Sequence, residues 1–86
     1  MFIILAYDVN NKRVGKVLKI CRKYLVHVQR SVFEGQITEK QLKSLKNELS
    51  KTIVVTEDSI CIYSLNSSKY SQKEQIGLTH DNSHIF

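Results

Sequence analysis

The chain has 86 residues with 13 Lys and Arg against 8 Asp and Glu, a net charge of +5. This length fits one domain with a modest core, so self-association is a reasonable expectation. Two cysteines without a CxxC pair exclude a disulfide framework and a cysteine zinc site. The basic balance favours polyanionic partners, with nucleic acid before membrane.

The N-terminal stretch from Phe2 to Tyr7 is continuously apolar or aromatic and stops at Asp8. It lacks the basic segment and cleavage site of a signal peptide, so we interpret it as a core strand covered on both faces. We therefore expect a cytoplasmic protein with no membrane association and with reduced thiols at Cys21 and Cys61. Asp8 then lies where a buried strand emerges into water.

Only basic charges occur between Asp8 and the next acid, Glu34. A lone carboxylate at a strand end, followed by a basic helix, indicates a metal site beside a phosphate-binding surface. The alternative is that Asp8 simply leads the chain into the helix, because Asp is favoured there. The intervening basic residues are Lys12, Arg13, Lys16, Lys19, Arg22, Lys23 and Arg30.

The segment from Lys12 to Leu25 has apolar residues at helical spacing and follows a candidate cap at Asn10 or Asn11. Four lysines recur on the opposite face, which is either a phosphate-binding surface or an ordinary solvated helix face. The apolar stripe consists of Val14, Val17, Leu18, Cys21, Tyr24 and Leu25, and the lysines are Lys12, Lys16, Lys19 and Lys23.

Residues 26–37 are rich in β-branched side chains and predict either one bent strand or two short strands. Thr38 and Gln41 form a capping-box pattern. It opens a second amphipathic helix that ends near Lys51, with its apolar stripe at Leu42, Leu45 and Leu49. Another strand is predicted from Ser59 to Leu65.

The order strand, helix, strands, helix, strand predicts an α+β chain with a ferredoxin-like βαββαβ fold over residues 1–65, and the first strand in the middle of the sheet. Residues 66–86 form a polar tail. Its segment 66–75 suggests a mobile or partner-dependent stretch. Apolar islands at 76–78 and 84–86 suggest docking, for example as a strand swapped onto another protomer. A frayed terminus is the alternative.

Three motifs occur in order along the chain: Tyr7-Asp8 after the apolar strand, Gln29-x-Ser31-Val32-Phe33-Glu34-Gly35, and Asp58-Ser59-Ile60-x-Ile62-Tyr63. With them the chain resembles CRISPR-associated protein two, the small nuclease-like protein of the CRISPR spacer-acquisition module. The resemblance covers residues 1 to about 65 well and the tail loosely.

The resemblance implies a symmetric homodimer in which the two copies of Asp8 share one Mg²⁺ or another divalent cation such as Mn²⁺. Asp8 would be both the metal ligand and the catalytic residue of an endonuclease that hydrolyses RNA or DNA in antiviral defence. One carboxylate is too few protein ligands for the ion, whereas two by symmetry suffice.

The resemblance also implies contacts with the DNA or RNA backbone. Phe33 would be a substrate or interface contact, and the alternative is that it packs in the core. Arg30 would contact a phosphate, and the alternative is that it is a solvated strand residue. His27 is expected to be a satisfied or surface histidine, not a catalytic base. The predicted nucleic-acid-binding residues are Tyr7, Lys12, Arg13, Lys16, Arg30, Ser31 and Phe33.

Two other functions fit the same residues. The homodimer would be a non-catalytic scaffold that bridges the CRISPR integrase subunit and binds a protospacer duplex, so that the basic residues matter and Asp8 does not. A ribonuclease toxin on the same fold is the third. Neither the preferred nucleic acid nor the metal and pH optimum follows from these residues.

Overall fold

The computed structural model describes residues 1–67 and 70–78. The predicted apolar island at 84–86 therefore lies outside the described residues. Five strands and two helices follow one another in the described chain. They are β1 (Phe2–Asp8), α1 (Asn11–Arg22), β2 (Val26–Gln29), β3 (Val32–Gln36), α2 (Glu39–Thr52), β4 (Ser59–Ser67) and β5 (Tyr70–Gly77).

The strands form one antiparallel sheet in the order β2-β3-β1-β4-β5. The first strand lies at the centre, between β3 and β4, as the sequence predicts. The first four strands have the ferredoxin-like order, and β5 extends the sheet beyond β4. The α+β ferredoxin-like prediction is confirmed for the single chain.

Both helices begin at the caps that the sequence indicates. The Asn10 side chain accepts a hydrogen bond from the Lys12 amide, and Thr38 and Gln41 complete the capping box of α2. α1 ends at Arg22, three residues earlier than predicted. Both helices pack on one face of the sheet, where their buried residues are Val17, Cys21, Leu42, Leu45 and Leu49.

β1 is covered on one face only, so the prediction that both faces are covered is wrong for the single chain. Ile3 and Leu5 point toward the helices and are fully buried. The alternate residues Phe2, Ile4 and Ala6 are only partly buried, because no described layer of this chain lies on that side. We call this side the open face. It also carries Val32, Glu34, Gln36, Cys61, Tyr63 and Leu65, by their register with β1.

The ambiguous segment 26–37 forms two short strands, joined by a tight turn at Arg30 and Ser31. The segment 66–75, predicted to be mobile or partner-dependent, contains the end of β4 and much of β5. In the single chain β5 pairs with β4, and Ile76 packs against the core. The sheet therefore continues past residue 65, where the sequence predicts the end of the domain. The exchange of a strand between protomers stays a prediction.

Neither helix in the described part of the chain is long and apolar enough to cross a membrane.

Candidate metal and nucleic-acid site

Asp8 is the last residue of the central strand, and its side chain is exposed. Alternate residues of a strand share a face, so Asp8 lies on the same side of the sheet as Ile4 and Ala6. Its register partner on β4 is Ser59. The carboxylate thus stands at the border between the apolar open face and water. A hard oxygen donor in this position suits Mg²⁺ or Mn²⁺.

One chain does not complete a metal site among the residues described. No group of three or more His, Cys, Asp or Glu side chains comes together there. The donor type fits a hard cation, but a single carboxylate is too few protein ligands. Further oxygens would have to come from water, from phosphate or from a second copy of the chain.

The turn between β2 and β3 lies beside the end of β1. The Tyr7 amide donates to the Ser31 carbonyl at 3.0 Å, and the last register pair before the turn is Ala6 with Val32. The turn that carries Arg30 and Ser31 therefore neighbours Asp8 across the sheet. The fold brings together these three predicted site residues, which are 23 positions apart at most.

The Tyr7 and Phe33 side chains contact each other next to this turn. Their ring centroids are 6.2 Å apart. Burial is the main cause that raises the pKa of Tyr7, and the nearby Cys21 adds to it, so the hydroxyl stays a donor at neutral pH. Phe33 is fully buried, and direct contact with nucleic acid would require its ring to leave the core. The structure favours core packing for Phe33, which was the alternative.

Lys12, Lys16 and Lys19 are exposed on α1, and Lys23 is exposed at its C-terminal cap. The prediction that the helix presents a lysine face to solvent is confirmed. Lys23 also forms an ion pair with Glu48 of α2. The remaining three lysines lie on the side of α1 away from the core and offer positive charge to a phosphate backbone.

Arg13 has a different position from the lysines, because it folds back toward the protein. Its Nε donates to Asp58 at 2.6 Å and its Nη2 to Glu57 at 2.7 Å. These bonds, first the one to Asp58, raise the pKa of Arg13. The Arg13 side chain is only 16% exposed. Arg13 thus joins α1 to the loop before β4. Its predicted contact with the nucleic-acid backbone stays a prediction.

Asp58 organises the loops behind the site. In the sequence it begins the third motif of the resemblance and is not among the predicted site residues. Its carboxylate is fully buried and also accepts from the amides of Asn10 and Val54, each at 2.8 Å. The bonds from Arg13 are the main cause that lowers the pKa of Asp58 to about 2. Asp58 thereby fastens the segment that follows Asp8 to the loop before β4. Its burial depends on partners about 45 residues away, which no local pattern reveals.

The sequence of the chain matches a known protein family over most of its length. Residues 1–73 match the family model described as "CRISPR associated protein Cas2". The chain belongs to the Cas2 family. The resemblance predicted from the three motifs is therefore confirmed.

Curated Cas2 relatives are similar over nearly their whole length. The protein of Thermotoga maritima is 46% identical over 78 residues, which are 91% of this chain and 90% of the relative. The protein of Dictyoglomus turgidum is 44% identical over the same length and the same shares. Both are named CRISPR-associated endoribonuclease Cas2.

Solved Cas2 structures share the fold. One, titled a crystal structure of cas2, has a TM-score of 0.73 at 41% identity and covers 81% of this chain and 79% of its own. The Cas2 structure from Streptococcus pyogenes has a TM-score of 0.71 at 35% identity, with 79% and 89% covered. The Cas2 architecture of this chain is thus shown by sequence and by structure.

Proposed function

We propose that this chain is a metal-dependent endonuclease of the CRISPR spacer-acquisition module that hydrolyses phosphodiester bonds of RNA or DNA in antiviral defence. The observation that carries the proposal is the position of Asp8, exposed at the border of an uncovered apolar sheet face. The relatives' name, endoribonuclease, favours RNA as the first substrate to test.

The open face supports a homodimer. Its partly buried residues Phe2, Ile4 and Ala6 lie beside Leu65, which is 38% exposed. On β2 the same face carries Val26, which is 68% exposed and is separated from Ile4 by Glu34. An apolar surface of this kind is typical of an association site. Two copies that pack these faces about a two-fold axis near the end of β1 would bring both Asp8 carboxylates to one place.

The chain's own residues would divide the work around a bound phosphodiester. The two Asp8 carboxylates would hold the divalent ion. That ion, when bound, supplies Lewis-acid activation of the phosphate and of the attacking water. The Ser31 hydroxyl would donate to a phosphate oxygen, and Arg30, Lys12 and Lys16 would bind the neighbouring backbone charges.

The direct test is RNA cleavage by Asp8→Asn with Mg²⁺ or Mn²⁺ in excess. The amide keeps the side-chain shape but removes the charge, so we expect cleavage to fall by at least about 100-fold, the scale of a lost electrostatic contribution to the transition state. Glu39→Gln is the matched control, since Glu39 is an exposed acid at the start of α2, and it should cleave normally. Cleavage by purified Asp8→Asn at the wild-type rate would refute the assignment.

The second candidate function is the non-catalytic scaffold. The exposed lysine face of α1 favours it, because this face does not depend on Asp8. Spacer-acquisition assays separate the two functions. If Asp8→Ala acquires spacers and the charge reversals Lys12→Glu and Lys16→Glu do not, the scaffold is the physiological role. In either function we propose a cytoplasmic homodimer that meets the CRISPR integrase subunit.

A further inference from the structure

The turn between β2 and β3 is held in an unusual backbone conformation. Arg30 has a φ of +28°, in the left-handed region that side chains other than glycine avoid. Such a conformation costs about 1–2 kcal/mol and persists only where the surroundings impose it. Strained turns of this kind gather at functional sites, so the contacts that hold Arg30 are informative.

Two side chains reach the carbonyl oxygen of Arg30. The His27 Nε2 atom lies 2.5 Å from it, and the Tyr7 hydroxyl lies 3.5 Å from it. A carbonyl only accepts hydrogen bonds, so Nε2 of His27 carries the hydrogen and donates. His27 makes the shorter contact and is the main restraint on this peptide group.

The His27 ring is itself fixed in place. It stacks on Phe33 with ring centroids 4.5 Å apart and an angle of 15° between the ring planes. Because Phe33 is fully buried in the core, the imidazole rests on a rigid support. The register of β2 against β3 also shifts between His27 and Gln29, which directs the chain into the turn.

We propose that His27 is a positioning residue for nucleic-acid binding. By holding the Arg30 carbonyl, it keeps the turn in the conformation that presents the Arg30 guanidinium to a phosphate beside Asp8. The inference rests on the proposed function for the presence of nucleic acid at this site. Without the His27 hydrogen bond the turn relaxes and Arg30 keeps its charge but loses its defined direction.

A salt titration of RNA binding measures this directly. On a single strand, removing one phosphate contact lowers the magnitude of the slope of log K against log salt by about 0.7. The experiment uses the full chain, a labelled single-stranded RNA and EDTA, so that cleavage plays no part. The variants are His27→Phe, which keeps a ring on Phe33 but removes the donor, Arg30→Gln, and the two combined.

In the proposed homodimer each substitution is present twice. We expect His27→Phe and Arg30→Gln each to reduce the slope by about 0.7 if one protomer contacts the strand, or by about 1.4 if both do, and to reduce the affinity several-fold. The combined variant should bind no more weakly than either single variant, because both remove the same interaction. Lys43→Gln is the control for the loss of one positive charge, since Lys43 is an exposed residue of α2 outside the proposed site and the open face. It should bind as the wild type does.

Three results would overturn the inference. They are an unchanged slope in His27→Phe, an unchanged slope in Arg30→Gln, and effects that add in the combined variant. Circular dichroism verifies that each variant is folded, and His27→Leu replaces His27→Phe if the latter is not. Cleavage by the Asp8→Asn variant tests the proposed function separately, so failure of the positioning role and failure of the nuclease assignment remain distinguishable.

Discussion

At the scale of single residues, the buried carboxylate of Asp58 joins three segments of the chain by hydrogen bonds. It accepts from Arg13 and from two backbone amides that belong to different loops. A buried charge that loses its partners is costly, so this cluster determines the path of the chain just after Asp8. The acid is structural, yet it sets the place of a candidate catalytic group.

The lowered pKa of Asp58 predicts a loss of stability in acid. The pKa falls from 3.8 to about 2 on folding, so the carboxylate stabilises the protein fully above pH 4. We expect the free energy of unfolding to decrease as the pH falls from about 4 to about 2, because in this range the unfolded state takes up the proton and the folded state does not. Urea unfolding at several pH values measures the decrease.

Two variants identify the group responsible for this acid loss. Asp58→Asn should unfold about 2–4 kcal/mol more easily at neutral pH and should lose less further stability in acid. Glu57→Gln alters the exposed partner of Arg13 and should cost less than about 1 kcal/mol. An equal acid loss in Asp58→Asn and in the wild type would show that another carboxylate is responsible.

Part of the residue-scale picture follows from the sequence and part does not. Asp8 stands out because it ends an apolar run, and its exposure at the strand end agrees with that pattern. In the sequence Arg13 resembles the neighbouring lysines. In the structure it forms an ion pair with Asp58, 45 residues along the chain, and is therefore not part of the lysine face. His27 gains its contacts only when the turn and Phe33 are in place.

At the scale of elements, the hairpin of β4 and β5 closes against the Asp58 loop. The Leu78 amide donates to the Asp58 carbonyl at 2.7 Å. Gly77 precedes it with a φ of +92°, and a Cβ atom there would lie 2.2 Å from the same carbonyl oxygen. The close approach of β5 therefore requires glycine at this position.

Two glycine substitutions should have opposite effects on stability. Gly77→Ala should lower the free energy of unfolding by about 2 kcal/mol or more, because it combines a strained φ with a backbone clash. Gly15 lies in α1, and a methyl group added there would meet no atom within 4 Å. Gly15→Ala should therefore raise the free energy of unfolding by about 0.5–1 kcal/mol.

Urea unfolding of both variants beside the wild type measures this contrast. A normal stability in Gly77→Ala would mean that β5 does not approach the Asp58 carbonyl as closely as the φ of Gly77 and the Leu78 hydrogen bond indicate. A destabilised Gly15→Ala would contradict the solvent-facing position of Gly15 on α1.

At the scale of the whole molecule, the described sheet carries helices on one side and no described layer of this chain on the other. The open face is apolar along β1, carries polar side chains such as Glu34 and Gln36 on β3, and includes the candidate metal ligand at its border. We therefore expect the proposed site to be complete only in a dimer. That expectation separates a shared site from two independent ones.

Mixing wild-type protein with an Asp8→Asn variant tests the shared site. With equal amounts and free exchange of protomers, about a quarter of the dimers carry Asp8 in both protomers. A site that needs both carboxylates should then cleave RNA at about a quarter of the rate of the same total amount of wild-type protein. Independent sites would leave about half. An affinity tag on the Asp8→Asn protomer, which retains untagged wild-type protomers, verifies that the mixed dimers form.

A second pair of variants ties cleavage to the open face. Ile4→Lys places a charge at the centre of this face and should give monomers that do not cleave RNA, although Asp8 is intact. Val55→Lys is the control, because Val55 is a 58% exposed apolar residue in the loop before β4. An active monomer would exclude a site made by two copies.

The sequence by itself determined the order of the elements from β1 to β4, the caps of both helices, the apolar face of each helix and the position of Asp8 at a strand end, but it did not predict β5 on β4 of the same chain. These features depend on neighbours within a few residues, whose spacing and hydrogen-bonding chemistry are local. Only the tertiary structure decided that β1 is open on one side, that Asp58 and Arg13 are paired, and that His27 holds the Arg30 turn. Each of these depends on groups that meet because the chain has folded, and no spacing along the sequence encodes such a meeting.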